Sequence, residues 1–179
     1  MLRFGALVAL LLSGWSAGAQ TVCECDPARA ETMKERQCSL CTEAEKQNEG
    51  ELFFLKDASP RKPNRWLVLP RRHGEGLHHL HEFTPKERTA LWTAAITKAK
   101  ELWGDEWGVA YNGPQVRTQC HAHIHIGKLL KGIETGRFVV VNGPAQIPMK
   151  PFEGVWVHPA GRKLHVHLGE QTTETVLLR

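Results

Sequence analysis

The chain has 179 residues, enough for one domain with a buried core, and its 23 Lys and Arg against 19 Asp and Glu leave a formal charge of +4. That mild excess suits an anionic small molecule, and no recognition-helix or RNA-binding motif accompanies it to argue for nucleic acid. After the N-terminal segment no stretch is long or apolar enough to cross a bilayer as a helix.

Residues 1–19 read as a secretory signal peptide: Arg3 supplies the basic start, Gly5 to Leu12 an apolar run too short for a span, and Ala17 and Ala19 the small residues of a cleavage site. The mature chain would begin at Gln20 and be exported, periplasmic or secreted. No lipid-attachment cysteine follows directly, because Gln20, Thr21 and Val22 precede Cys23. Residues 20–50 form a Cys-rich N-terminal cap, with a helical leaning around "ARAETMKERQ". Four of the five cysteines, Cys23, Cys25, Cys38 and Cys41, cluster there. In an exported protein they read as two disulfides with three connectivities, whereas Cys38-x-x-Cys41 is also a zinc half-site. The spacing leaves both readings open.

Residues 52–57, "LFFLKD", and 65–70, "RWLVLP", read as two strands of a hairpin joined by "ASPRKPN". Asp57 sits at the turn, where it either caps the turn or faces a ligand. Thr84, Pro85 and Glu87 then supply an N-cap, a first-turn proline and a capping-box partner, and Leu91, Ala95, Ala99 and Leu102 continue an apolar stripe to about Trp103. Before that helix, His78, His79 and His81 read as surface histidines.

A strand from Trp107, "WGVAYN", precedes "RTQCHAHIHIG" at 117–127. If the second segment is extended, a period of two sends Arg117, Gln119, His121, His123 and His125 to one face and Cys120, Ala122, Ile124 and Ile126 to the core. Cys120 is then expected as a free buried thiol. Three imidazoles beside a guanidinium and an amide point to a working site, in which the middle one reaches a substrate atom and its neighbours hold the flanking groups. Strands "RFVVVN", "GVWVHP" and "KLHVHL" follow. The last carries His165 and His167 on what reads as a partly exposed face; the functional alternative is a second metal or phosphate site with His158 and Glu170. The fold class is α+β, an antiparallel sheet with one long helix.

"DASPRKPNRWLVLPRRH" and "HAHIHI", in that order and at this separation, resemble the histidine triad (HIT) superfamily of nucleotide hydrolases and transferases over roughly residues 38–130. The resemblance implies that residues 51–179 are a HIT-like domain with a C-terminal strand extension. It implies an enzyme acting on phosphoric anhydride or phosphoramidate bonds, in which His123 attacks the α-phosphorus of a nucleotide and forms a nucleotidyl-histidine. His125 would donate to the phosphate or the leaving oxygen, Arg117 and Gln119 would offset the developing charge, and Asp57 and Asn112 would contact ribose and phosphates. A neutral imidazole is a competent nucleophile near neutral pH. "RTQ" before "HIHI" resembles more closely the CDP-diacylglycerol pyrophosphatase branch, whose substrate is a nucleotide-lipid. A non-catalytic zinc- or nucleotide-binding protein is the rival from another class. The resemblance also implies a structural zinc held by Cys38, Cys41, His73 and His121, against the disulfide alternative, and leaves room for a homodimer.

Overall fold

The computed structural model describes residues 21–133 and 136–179, so the signal-peptide segment lies outside the described residues. Two short 3-10 turns, Thr32–Lys34 and Arg36–Cys38, replace the expected helix of the cap and lead into α1 (Ser39–Glu45). The hairpin follows as β1 (Leu52–Lys56) and β2 (Trp66–Pro70), then α2 (Pro85–Trp103), β3 (Trp107–Tyr111), β4 (Ile124–Lys128), β5 (Phe138–Val141), β6 (Gly154–Ala160) and β7 (Lys163–Glu170). The seven strands form one antiparallel sheet in the order β1-β2-β4-β3-β6-β7-β5. The expected α+β class is borne out.

α2 starts where its sequence dictates. The Thr84 hydroxyl accepts from the Glu87 amide and the Glu87 carboxylate returns to the Thr84 amide, closing a capping box ahead of Pro85. Its apolar face is Leu91, Trp92, Ala95, Ile96 and Ala99, packed on Val68, Val109, Ile124, Ile126, Val155 and Val166. Leu102, expected in the stripe, has turned outward and is 38% exposed.

The opposite face of the sheet, which α2 leaves uncovered, is closed from both ends of the chain. At one side Ala44 of α1 packs on Phe53, Leu67 and Leu69. At the other the C-terminal tail lays Val176 and Leu177 on Ala110 and Trp156. The tail comes close because Gly108 of β3 and Gly127 of β4 stand opposite each other and lack side chains. A Cβ on Gly108 would lie 2.7 Å from Leu177 Cδ2, and one on Gly127 3.2 Å from Leu177 Cβ. Between cap and tail the face stays open to a cavity.

Candidate active site

The alternation of "HAHIHI" holds only in its second half. β4 begins at Ile124, and residues 117–123 form no strand, contrary to the extended reading of the whole stretch. Arg117 explains why. Its buried guanidinium donates to the carbonyls of His78 (2.5 Å), Gln119 (3.1 Å), Cys120 (3.4 Å) and His121 (3.0 Å) and to the Tyr111 hydroxyl (3.1 Å). Three consecutive carbonyls turned onto one cation cannot alternate as a ladder demands. The looped geometry returns Arg117 to the same cavity as His123, but with Nη1 and Nη2 spent on protein oxygens. Gln119 is similarly occupied: its Oε1 accepts from Ser39 Oγ at 2.8 Å and its Nε2 donates to the Arg36 carbonyl at 3.0 Å. Gln119 ties the loop to the cap, Arg117 ties it to His78 and Tyr111, and both still line the cavity with His123.

His123 and His125 do meet. Their rings stand nearly perpendicular with centroids 4.9 Å apart, and both line a cavity of about 280 Å³ together with Asp57, Lys62, Asn112 and Glu174. His123 Nδ1 lies 2.7 Å from the His121 carbonyl, which can only accept, so the proton resides on Nδ1 and the lone pair on Nε2. Nε2 makes no hydrogen bond to a described residue. Burial, with His125 and Arg117 nearby, holds the His123 pKa well below the ordinary value. His125 is pushed down to about 3, by burial first and then by Lys62 and Arg65. Both imidazoles are therefore neutral at pH 7.

The tautomer of His125 follows from its neighbours. Asn112 Oδ1 accepts from Thr173 Oγ1 (3.2 Å) and the Glu174 amide (3.0 Å), which turns its Nδ2 toward His125 Nε2 at 3.5 Å. Nδ1–H then faces the Glu174 carboxylate, also at 3.5 Å, without closing a hydrogen bond to it. Glu174 receives Lys62 Nζ at 2.6 Å and Arg65 Nη1 at 2.8 Å as well. Asp57 lines the cavity while its Oδ1 accepts from the Ser59 amide at 2.9 Å, so the turn-capping role and the cavity position coincide.

The cysteines depart from expectation. Cys23 is bonded to Cys120 and Cys25 to Cys38, leaving Cys41 as the free, buried thiol. Cys120 is buried as its position predicts, but the first part of the cap folds back against it at Cys23, so it is a bridge and not the spare thiol. Two disulfides fit an oxidising, extracellular environment. Three buried cysteines, Cys25, Cys38 and Cys120, have sulfur atoms within 4.8 Å of one another, close enough for a metal by distance, but all three are engaged in the two disulfides. Of the expected zinc set, Cys38 has its sulfur committed to Cys25, which corrects its assignment as a thiolate in this state. Cys41, His73 and His121 are not among the described ligand groups close enough to hold one ion, but two of them leave a nitrogen open. His73 Nδ1 and His121 Nε2 are buried without a hydrogen-bond partner, and the two rings lie 5.5 Å apart. Each has its other nitrogen held, His73 Nε2 by Glu45 at 2.6 Å and His121 Nδ1 by the Ala122 carbonyl at 2.9 Å, as in metal-ligating histidines. Burial raises the Cys41 thiol to about 11 and lowers His121 to about 4.

Glu174, Lys62, Arg65 and Thr173 are site residues that sequence reasoning missed. The "PRKPN" turn held a visible signal in its paired cations. The tail held none, since "TTET" reads as an ordinary polar end. His78 and His79, expected at the surface, are half-buried against Arg117, whose Nη1 lies 2.8 Å from His79 Nδ1.

Fold and cavity together define an α+β protein with an imidazole-lined site on the open face of its sheet. A crystal structure of a DUF4931 family protein from Bacillus cereus is similar to this chain, with a TM-score of 0.51 over 70% of this chain and 84% of that one, at 12% identity. At that identity the likeness speaks to fold alone. No family model and no curated protein matches the chain.

Proposed function

We propose that the chain is an exported HIT-like nucleotidyl hydrolase or transferase that cleaves a bond at a nucleotide's α-phosphate through a nucleotidyl-histidine on His123. The observation that carries this reading is the tautomer of His123: the His121 carbonyl holds the Nδ1 proton and leaves the Nε2 lone pair at the cavity. Nε2 attacks phosphorus, the bond from phosphorus to the leaving oxygen breaks, and water or another acceptor then displaces the histidine and takes the nucleotidyl group. Lys62, paired with Glu174 at the cavity, and Arg117 beside it offset charge on the phosphoryl oxygens. Asn112 and Glu174 lie on either side of the His125 ring beside the nucleophile, and Asp57, which lines the same cavity, would take a ribose hydroxyl.

The second reading, a CDP-diacylglycerol pyrophosphatase-type hydrolase of a nucleotide-lipid, rests on "RTQ" before "HIHI" and on the export suggested by residues 1–19. No nucleic acid is expected as partner. The metal reading places a structural zinc at Cys38, Cys41, His73 and His121, with Cys38 released by reduction of its bond to Cys25. Four protein ligands would leave no open position, so the ion would support the loop carrying His121 and take no part in turnover.

The test is a screen of the purified mature chain against CDP-lipids, dinucleoside polyphosphates and nucleoside phosphoramidates, with His123→Ala as control. Turnover lost in the variant at unchanged circular dichroism supports the reading. Nucleotide binding without turnover in the wild type would replace it with the non-catalytic one. Zinc analysis of reduced and oxidised protein separates the two cysteine states: one zinc per chain is expected only after reduction.

A further inference from the structure

His167 of β7, expected on a partly exposed face, is 1% exposed, and the exposure falls instead on the strand beyond it. β5 ends the sheet and pairs, among the described residues, with β7 alone, from Phe138 opposite His167 to Val141 opposite Leu164. Phe138, Val139 and Val140 are 42%, 41% and 50% exposed, three consecutive apolar residues. Val141 enters the core that α2 covers, so alternation turns Val139 to that face and Phe138 and Val140 to the other.

An edge of this kind is ordinarily blocked by a charge, a proline or a bulge. β5 has none of the three: its residues are all apolar, and its ladder to β7 runs without a register shift. Short, uncharged, β-branched segments pair readily with copies of themselves.

The strand is also complementary to itself. Alternate residues of an edge strand direct both N–H and C=O outward, so in a two-fold antiparallel pair outward groups meet only when the axis passes through a residue. An axis at Val139 sets Phe138 opposite the partner's Val140 and Arg137 opposite the partner's Val141. An axis at Val140 sets Val139 opposite the partner's Val141 and Arg137 opposite the partner's Gly143. Neither register brings Arg137, the charge flanking the strand, against its own copy. Both close, because each copy's β5 edge is used up.

We propose that β5 is the interface of a symmetric dimer, in which the β5 edges of two copies pair antiparallel and join their sheets into one. The cavity of His123 is built at β4, with β3, β6 and β7 between it and β5, so the interface is independent of the role of His123.

Analytical ultracentrifugation of the disulfide-intact mature chain, across the micromolar range, tests the interface. A reversible equilibrium between monomer and dimer is expected. Val139→Lys sets like charges at the axis or diagonally across it and should weaken association at least about tenfold. Its circular dichroism should be unchanged, because the side chain is exposed. Val139→Glu should act in the same way, and an equimolar mixture of the two variants should associate again, which misfolded chains would not do. A wild type that stays monomeric or grows beyond a dimer, a dimer that Val139→Lys leaves intact, or a mixture that fails to associate would overturn it.

Discussion

The reactivity of His123 turns on one backbone carbonyl, but its neighbour His125 turns on a carboxylate nearly fifty residues away. Glu174 faces His125 Nδ1 and at the same time neutralises Lys62 and the almost fully buried Arg65. Glu174→Gln removes that charge while keeping the shape. Leaving Arg65 buried beside a neutral amide costs about 3 kcal/mol, moderated by its bonds to the Leu177 and Leu178 carbonyls. Urea unfolding should show that loss, and the rate should fall by about tenfold, the equivalent of one weakened charge-assisted contact. A variant as stable and active as the parent would make Glu174 a bystander. Histidine burial also sets an acid limit. His79 and His125 have an ordinary value of 6.5 and fall to about 4 and about 3 in the folded chain. Below pH 6.5 the unfolded chain therefore binds the extra protons. Their contribution to stability is whole above 6.5 and is lost as pH falls toward 4 and then 3. Urea midpoints at pH 7, 5.5 and 4.5 should decline in that order; a constant midpoint would contradict the burial assigned to these rings.

At the scale of elements, legibility follows locality. The hairpin, α2 and the later strands were readable because their signals are local: a capping box, a turn-rich linker, alternating apolar residues. The same alternation misled at 117–123, where Arg117 gathers the carbonyls that a strand would have used and Cys120 is tied to Cys23, 97 residues away in sequence. No periodicity records such a tie. His123, His125, Asp57 and Asn112 line one cavity because each sits in, or next to the end of, a strand that the sequence also placed. The sequence could not reveal Glu174, brought in by a tail that crosses 109 residues of separation to Arg65. Arg117→Lys is the informative substitution here. A single ammonium cannot span the carbonyls of His78, Gln119 and His121 as the planar fork does. Leaving these buried acceptors unmet should cost about 2–3 kcal/mol. Stability and rate should fall together, measured by urea unfolding and by turnover; a fully stable but slow variant would confine Arg117 to its role on phosphate.

At the scale of the molecule, both ends of the chain complete the site: the cap brings Ser39 and Leu40 to the cavity and the tail brings Glu174. Gly108 is where the tail's approach is most exposed to test. A methyl there meets Leu177 and Leu129 side chains and has to push the tail outward. Gly108→Ala should cost about 1–3 kcal/mol by overpacking and lower activity through Glu174, whereas Gly143→Ala, where the backbone is extended and nothing lies within 4 Å of the added Cβ, should leave activity alone. Equal activity in both would detach the tail from the site.

The central claim is the covalent intermediate on His123, and the most direct measurement is intact and peptide mass spectrometry of protein mixed with its best substrate and quenched at alkaline pH, where a phosphoramidate survives. The account predicts a mass increase of one nucleotidyl group, a nucleoside monophosphate less one water, mapped to the peptide bearing His123 and absent from His123→Ala. Substrate consumed by the wild type with no adduct, or an adduct that persists in His123→Ala, would contradict it.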